Sequence, residues 1–216
     1  NLIWKAPLAG GSPTQFVTNP ATPYSITVDA SYVYWTSGQN TVLQADIGGA
    51  AVPATIAFGQ VGVTGIAVDK SYVYWITSDS VRRVTIGGGV TQTLATGLPT
   101  PSAIAVDQGY VYWTSMAGGT VMKVPVAGGN PTTLATGQHG PNGLAVDATH
   151  VYWTNFGTQP AMHVCLDGAV MKAPIGGGTP VTLASGECLP GSLVVDATRV
   201  YWEDHDFGGY VLETSK

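Results

Sequence analysis

Short apolar runs alternate with clusters of Gly, Pro, Asn and Asp along the whole chain, a pattern typical of β-strands joined by turns. One pattern of eight residues, Val-Asp-x-x-x-Val-Tyr-Trp, occurs five times. The copies, called repeats 1 to 5, lie at 28–35, 68–75, 106–113, 146–153 and 195–202. They follow one another at 40, 38, 40 and 49 residues, so we interpret the chain as a repeat protein.

Each repeat predicts four strands, a to d. Strand a is the apolar run before the Asp, and strand b is the Val-Tyr-Trp run. The turn residues between them predict a hairpin in which the Asp carboxylate accepts backbone N–H bonds. Strand c has the pattern Val-Met-Lys-x-Pro, as at 121–125 and 170–174, and a Gly-Gly turn leads from it to strand d, as at 133–135.

Four antiparallel strands in about 40 residues are typical of one blade of a β-propeller. Strand b carries large residues at successive positions, as in Val33-Tyr34-Trp35, which predicts burial on both faces by neighbouring blades. The Trp residues are therefore expected in the core. We predict an all-β fold, a β-propeller of four-stranded blades, with residues 1–216 forming a single domain.

The number of blades depends on the two ends of the sequence. The first residues supply strands c and d only, and the last supply a, b and a weak strand c at 210–213. We predict five blades, with a terminal blade closed jointly by N- and C-terminal strands. The alternative is an incomplete or fragmentary six-bladed propeller. Because the sequence begins at Asn1 in the middle of a repeat, we expect a mature or excised chain.

The segments Ile-Ala-Val-Asp, Val-Tyr-Trp-Thr, Val-Met-Lys-Val-Pro and Gly-Gly resemble the YWTD repeats of lipoprotein receptors and of many secreted bacterial proteins. This resemblance covers almost the whole chain, and it implies a propeller, usually of six blades. The fourth position of the motif departs from the family. It is Ser37, Thr77, Ser115, Asn155 and only once an aspartate, Asp204. The role of that Asp in the family is therefore not transferred to this chain.

The composition argues against some classes of binding partner. Only 10% of the residues are charged, the net charge is −5 and there is no basic cluster, which argues against nucleic-acid partners. No apolar run approaches the roughly 20 residues that span a bilayer, so we predict no membrane insertion. The two cysteines, Cys165 and Cys188, predict one disulfide and an oxidising compartment. We therefore expect a secreted, extracellular or periplasmic protein.

Variable loops are the place to look for function. In antiparallel blades the b–c and d–a connections lie on one face, and the longest b–c connection is 156–167 in repeat 4. A bridge between Cys165 and Cys188 would fasten this insertion to the following d–a connection. The candidate binding residues on this face are His139, Asn142, His163, Glu187, Glu203, Asp204, His205 and Asp206.

The run from Glu203 to Asp206 could bind a divalent cation such as calcium, or it could be a solvated polar loop. Apart from such a cation we predict no cofactor. No Gly-x-Ser-x-Gly is present, and we predict no catalytic residue. The residue before each Val-Tyr-Trp varies, which predicts an exposed position on the opposite face. Where it is Tyr32, Tyr72 or Tyr110, the ring could stack on a sugar or a partner.

Three functional hypotheses are consistent with these features. The preferred one is a non-enzymatic secreted propeller that serves as a binding or assembly module for a protein or carbohydrate ligand. The second is a metal-dependent hydrolase or lyase with its site at the top of the central channel. The third is a structural subunit that associates with its own copies through the strands of its incomplete terminal blade.

Overall fold

The computed structural model describes residues 2–18, 22–49, 52–107, 109–161, 164–205 and 209–216, apart from the side chains of 18, 158–161 and 164–166. All regular secondary structure in these ranges is β-strand. None of the described residues forms a helix of the length and apolarity that would span a membrane. The chain divides into two compact units, 1–93 and 94–216, which are described in turn.

In the first unit, a two-stranded sheet precedes two four-stranded sheets, and the last strand runs across the boundary between the units. The strands are β1 (Leu2–Lys5), β2 (Thr14–Thr18), β3 (Pro23–Val28), β4 (Tyr32–Ser37), β5 (Thr41–Asp46), β6 (Ala54–Ala57), β7 (Ile66–Val68), β8 (Tyr72–Ile76), β9 (Ser80–Thr85) and β10 (Gln92–Thr96). The order in the larger sheets is β3-β4-β5-β6 and β7-β8-β9-β10.

The second unit contains two four-stranded sheets, a small hairpin and a three-stranded sheet. The strands are β11 (Pro101–Val106), β12 (Tyr110–Ser115), β13 (Thr120–Pro125), β14 (Thr132–Ala135), β15 (Pro141–Val146), β16 (His150–Asn155), β17 (Thr158–Ala161), β18 (Val164–Leu166), β19 (Gly168–Pro174), β20 (Val181–Glu187), β21 (Pro190–Val195), β22 (Arg199–Asp204) and β23 (Tyr210–Ser215). The sheet orders are β11-β12-β13-β14, β15-β16-β19-β20, β17-β18 and β21-β22-β23.

The order a-b-c-d predicted from the repeats is confirmed in all four complete sheets, and the weak C-terminal strand c is present as β23. The insertion of repeat 4, expected as a loop, contains the hairpin β17–β18. Strand a is also longer than the apolar run, because a bulge lets it begin at a proline in four of the repeats. The prediction that residues 1–216 form a single domain stays a prediction.

The strand paired with β22 is β23, the C-terminal strand c. Joint closure of a terminal blade by N- and C-terminal strands stays a prediction. Arg199 of β22 forms an ion pair with Glu213 of β23. Strand β1 pairs with β2 in the first unit.

The largest fully buried side chains of the core belong to strand b. Trp35, Trp75, Trp113 and Trp153 are completely buried, and Trp202 is almost so, which confirms their predicted core position. The Tyr before each of the first four Trp residues is buried as well. Aromatic side chains of this size bury 150–250 Å² each, so strand b dominates the packing of every repeat.

A threonine after the Trp links successive inner strands in three repeats. In repeat 4 the Thr154 hydroxyl accepts a bond from the Gly143 amide and donates one to the Gly191 carbonyl, both at 2.8 Å. Thr36 and Thr114 make the same two kinds of contact in repeats 1 and 3. The hydroxyl thus satisfies a buried N–H and a buried carbonyl between neighbouring sheets.

Candidate functional site

The Asp of each repeat closes the a–b turn, as the sequence predicts. In repeat 1 one oxygen of Asp29 accepts bonds from the backbone amides of Ser31 and Tyr32, both at 2.7 Å. The second oxygen accepts the phenol of Tyr34 at 2.8 Å, a bond that the sequence did not predict. Burial opposes ionisation of Asp29, but these bonds outweigh it and lower its pKa. The Asp residues are therefore occupied by a structural role.

The d–a connections share a residue with positive φ, which the sequence did not predict. In repeats 2 to 5, the residue two positions after Gln60, Leu98, Gln138 or Glu187 has a left-handed backbone. It is Gly62 and Gly140 in repeats 2 and 4, with φ of 69° and 65°. In repeats 3 and 5 it is Thr100 and Leu189, with φ of 53° and 56°, where a side chain adds strain. The connections of repeats 3 and 5 are thus the strained ones.

A glutamine in the same connection supports the core Trp. The Gln138 carbonyl oxygen accepts the indole N–H of Trp153 at 3.0 Å, and Gln60 accepts that of Trp75 at 3.1 Å. The Gln lies 15 residues before the Trp in both repeats. That fixed spacing is the signal by which the sequence could have revealed this contact. In repeat 3 the position holds Leu98, and the Trp113 indole N–H finds no acceptor among the described residues.

Repeat 5 places a carboxylate where repeats 2 and 4 have this Gln. Glu187 accepts the indole N–H of Trp202 at 3.0 Å. Burial is the main factor that raises the pKa of Glu187; the Trp202 bond lowers it, and the nearby carboxylate of Asp204 raises it further. A half-buried carboxylate is therefore held beside a second one, at a position where a neutral amide serves in repeats 2 and 4.

Two more carboxylates replace neutral residues at the end of strand β22. Glu203 stands at the position of the linking threonines, and Asp204 at the position of Ser37, Ser115 and Asn155. Asp204 is 6% exposed and accepts the backbone N–H of Cys188 at 3.0 Å. Glu203 is about half exposed and lies 3.4 Å from His205, measured from Oε2 to Nε2. Glu187, Glu203 and Asp204 are called the carboxylate cluster.

The glycine Gly191 lets Glu203 and His205 approach the backbone of β21. A Cβ at this residue would lie 2.6 Å from His205 Nε2 and 3.0 Å from Glu203 Oε2. In repeat 4, the Nδ1 atom of His139 pairs with the carboxylate of Asp167. The next residue, Gly168, is opposite Glu187 in the β19–β20 pair. The His139 pair is thus adjacent in sequence to the residue opposite Glu187; His139, the carboxylate cluster and His205 are together called the band.

Of the eight predicted binding residues, Glu203 pairs with His205, Glu187 lies near Asp204, and His139 pairs with Asp167. Asn142 belongs to the inner strand β15, where its carbonyl accepts the hydroxyl of Thr114 at 2.8 Å. His163 and Asp206 lie outside the described residues. Within the described ranges, no three His, Cys, Asp or Glu side chains are grouped as metal ligands. The Cys165 side chain is outside these ranges too, so its bridge to Cys188 stays a prediction.

The tyrosines on the opposite side of the repeats are less open than predicted. Tyr32, Tyr72 and Tyr110 are half-buried, and each leans on the Tyr two residues later. The cations of Arg83 and Lys123 lie 4.2 Å from the ring centroids of Tyr72 and Tyr110. These ring faces are therefore partly occupied by the protein's own side chains, which leaves less surface for a sugar.

The chain is similar to solved propeller structures. No family model matches the sequence, and no curated protein matches it. A chain from the crystal structure of a nidogen/laminin complex is 22% identical over 94% of this chain and 80% of that one, with a TM-score of 0.75. The virginiamycin B lyase from Staphylococcus aureus is 14% identical over 99% of this chain and 76% of its own, again with a TM-score of 0.75.

A streptogramin B lyase gives a TM-score of 0.77 at 12% identity, covering 100% of this chain and 76% of the other. Identities this low establish the fold and leave the function open. Together with the four-stranded antiparallel sheets they confirm the predicted class, and the five repeats are consistent with the predicted number of blades. The fold of this chain is a β-propeller.

Proposed function

We propose that this chain is a non-enzymatic binding module whose ligand contacts the band formed by the carboxylate cluster, His205 and His139. The ligand is a protein or a carbohydrate. Both offer what carboxylates recognise, namely hydrogen-bond donors such as hydroxyl, amide, ammonium or guanidinium groups. A propeller suits this role because its rigid sheets hold variable connections in fixed positions.

One observation carries the proposal, the substitution of three neutral residues by carboxylates in repeat 5 alone. Gln accepts the Trp indole in repeats 2 and 4, and Thr links the inner strands in repeats 1, 3 and 4. The fold therefore needs no negative charge at these positions. Glu187, with its raised pKa beside Asp204, makes the substitution costly to stability. Residues that cost stability in a repeat are expected to serve a ligand.

The test uses the chain's own repeats as the template. In a repeat-like variant, Glu187→Gln, Glu203→Thr and Asp204→Ser restore the residues that occupy these positions elsewhere. Wild type and variant are compared on a carbohydrate array and in a pull-down from the extracellular fluid of the source, followed by titration of each isolated ligand. We expect a ligand of the wild type that the variant binds at least tenfold more weakly. A ligand bound equally well by both proteins, or only by the opposite side of the repeats, contradicts the proposal.

A second candidate function is a metal-dependent lyase or hydrolase. It is favoured by the His205–Glu203 pair, since an imidazole beside a carboxylate can move a proton, and by the fold shared with two lyases. Calcium, magnesium and zinc titrations by calorimetry decide between the two. A site with a dissociation constant in the micromolar range that is lost in His205→Gln favours the enzyme. Heats equal to those of buffer leave the binding module as the better account.

The proposal includes secretion into an oxidising compartment and a Cys165–Cys188 bridge. The low content of charged residues and the presence of two cysteines support both. We also propose that the chain is a YWTD-like propeller forming one domain, on the strength of its five Val-Tyr-Trp motifs. Association of copies through the terminal strands remains the alternative that sedimentation of the purified chain would test.

A further inference from the structure

We propose that Arg82 binds the carboxylate of a ligand in which the acid stands next to an apolar group. Arg82 belongs to β9, in repeat 2 of the first unit, whereas the carboxylate cluster belongs to the second unit. The proposal therefore uses no residue of the cluster and does not depend on the function proposed above.

Arg82 is the exception at its position in the repeats. It lies opposite Trp75, the core Trp of repeat 2, in the pairing of β8 with β9. Because every repeat pairs strand b with strand c in this register, the fold does not require a cation at this position. The residue opposite the core Trp is apolar in the other repeats, namely Leu43, Met122, Met171 and Leu212.

The guanidinium group of Arg82 is held in place by two neutral oxygen atoms. Its Nε donates to the Ser80 hydroxyl at 3.0 Å, and its Nη1 donates to the side-chain carbonyl of Gln60 at 3.1 Å. Gln60 is fixed in turn, because its carbonyl also accepts the Trp75 indole N–H at 3.1 Å and its amide group donates to the Phe58 backbone carbonyl at 2.8 Å. The guanidinium is thus oriented before a ligand arrives, which lowers the entropy lost on binding.

Repeat 4 shows that the bond to the glutamine needs no charge. There the Gln138 carbonyl accepts the Trp153 indole N–H in the same way, and its second donor is the amide group of Asn155 at 3.0 Å. A neutral side chain can therefore make the bond that Nη1 of Arg82 makes in repeat 2. The positive charge of Arg82 is the feature that this contact does not use.

The charge of Arg82 is not balanced by the described parts of the chain. A guanidinium group has five N–H donors, and the two bonds above use two of them. In the ranges that the structure describes, Arg82 forms no ion pair, and its Nη2 atom donates to no residue. The carboxylate of Asp79, just before β9, instead accepts the Thr77 hydroxyl at 3.3 Å. A half-buried cation with unused donors in a fixed orientation is suited to bind an anion.

The surroundings of Arg82 indicate which anion fits. A guanidinium matches the bidentate geometry of both carboxylate and phosphate. The negative charge of Asp79, at the start of the same strand, repels a dianion more strongly than a monoanion. Phe58 and Val61, in the same connection as Gln60, are 81% and 69% exposed and offer apolar surface beside the acid. The ligand class is therefore a monocarboxylate next to an apolar group, as in a peptide that ends in leucine or in a free acid such as hydrocinnamate.

The experiment is an NMR titration of the isotope-labelled chain, followed through the Nε–H signal of Arg82 and the backbone amides of Gln60 and Ser80. The ligands are hydrocinnamate and the peptide acetyl-Gly-Gly-Leu with a free C-terminus. Each acid is compared with its amide, which has the same apolar group but no charge. Inorganic phosphate is titrated as the competing class of anion.

Three variants separate the fork, the charge and the fold. Arg82→Met places at this position the residue type found there in repeats 3 and 4, so the variant is expected to fold. Arg82→Lys keeps the charge but loses the planar fork. Lys70→Met is the matched control, because it removes one cation from an exposed position in the a–b turn of the same repeat. Urea unfolding checks that each variant is folded.

We expect saturable shifts around Arg82 with both acids, and binding of the amides and of phosphate that is weaker by about tenfold or more. Arg82→Met should weaken binding of the acids by about tenfold or more and Arg82→Lys by about threefold or more, whereas Lys70→Met should stay within about twofold of wild type. Tighter binding of the peptide would identify a protein C-terminus as the source of the carboxylate, and tighter binding of hydrocinnamate a free acid; both results support the proposal.

Four results would overturn this assignment. The acids cause no shift around Arg82 at millimolar concentration, or acid and amide bind equally well. Phosphate binds as tightly as the acids, which would remove the preference for a carboxylate. Lys70→Met weakens binding as much as Arg82→Met, which would mean that only the net charge of the protein matters.

Discussion

Replacing Glu187 by Gln is expected to stabilise the protein at neutral pH. Repeat 4 already has a Gln at the equivalent position, Gln138. The Gln would keep the bond from the Trp202 indole, as Gln138 does for Trp153 at 3.0 Å. The new amide group would also reach the backbone carbonyl two residues earlier, as Gln138 reaches the Thr136 carbonyl at 2.9 Å. One hydrogen bond is gained, and the repulsion by Asp204 is lost.

The magnitude follows from these two changes. A net intramolecular hydrogen bond contributes about 0.5–1.5 kcal/mol. Repulsion between two carboxylates near the surface adds a few tenths to about 1 kcal/mol. We therefore expect the free energy of unfolding to rise by about 1–2 kcal/mol at pH 7. For a chain of this size that corresponds to a rise in Tm of about 3–6 °C.

The gain should depend on pH in one direction. Because burial and Asp204 raise the pKa of Glu187, the folded protein holds this proton more tightly than the unfolded chain does. Its stabilising contribution is complete below the unfolded pKa of about 4.3 and is lost as the pH rises through the folded pKa. The stability difference between Glu187→Gln and wild type should thus be largest near pH 7 and should fall near pH 3.5 to the contribution of the added hydrogen bond.

The assay is urea unfolding followed by Trp fluorescence at several pH values, with the difference between the two proteins taken at each pH. Gln138→Glu is the reciprocal control. It brings a carboxylate to the equivalent position, and should destabilise the protein by about 1 kcal/mol at pH 7 through loss of the amide bond to the Thr136 carbonyl. A difference that does not vary with pH, or a Glu187→Gln protein less stable than wild type at pH 7, refutes the reasoning.

The connections between strands support three further predictions. Thr154→Val should lower the free energy of unfolding by about 2–4 kcal/mol in urea titrations, because it leaves a buried amide and a buried carbonyl unpaired, whereas Thr154→Ser should cost less. Thr100→Gly should raise the free energy of unfolding by up to about 1 kcal/mol through relief of left-handed strain, and Gly140→Ala should lower it by about 1–2 kcal/mol. Thiol titration of the denatured chain without reductant should find Cys165 and Cys188 unreactive; two free thiols would contradict the bridge.

Much of the fold could be predicted because its signals are local. The Asp of the a–b turn bonds amides two and three residues later, so the eight-residue motif contains both partners. The Trp residues are buried because strand b is large on both faces, which is also visible within the motif. The strand order in each complete sheet follows from turns of a few residues.

The remaining features depend on contacts between distant residues. The bond from Thr154 to the Gly191 carbonyl spans 37 residues and requires the packing of two repeats. The positive φ of Leu189 cannot be read from a residue type that avoids it. The sequence places the candidate residues around Glu187 and His205 in variable loops. Their difference from the other repeats becomes clear only when equivalent positions of the repeats are compared. The structure supplies the Gln–Trp contact that distinguishes Glu187; the sequence contains only the fixed spacing of 15 residues.

The most direct test of the central claim is to measure stability and ligand binding together in the repeat-like variant. The account predicts that restoring the neutral residues at the carboxylate cluster leaves the protein at least as stable as wild type at pH 7, while affinity for the isolated ligand falls tenfold or more. A variant that loses stability and retains wild-type affinity would mean that the carboxylates serve the fold, and it would contradict the account.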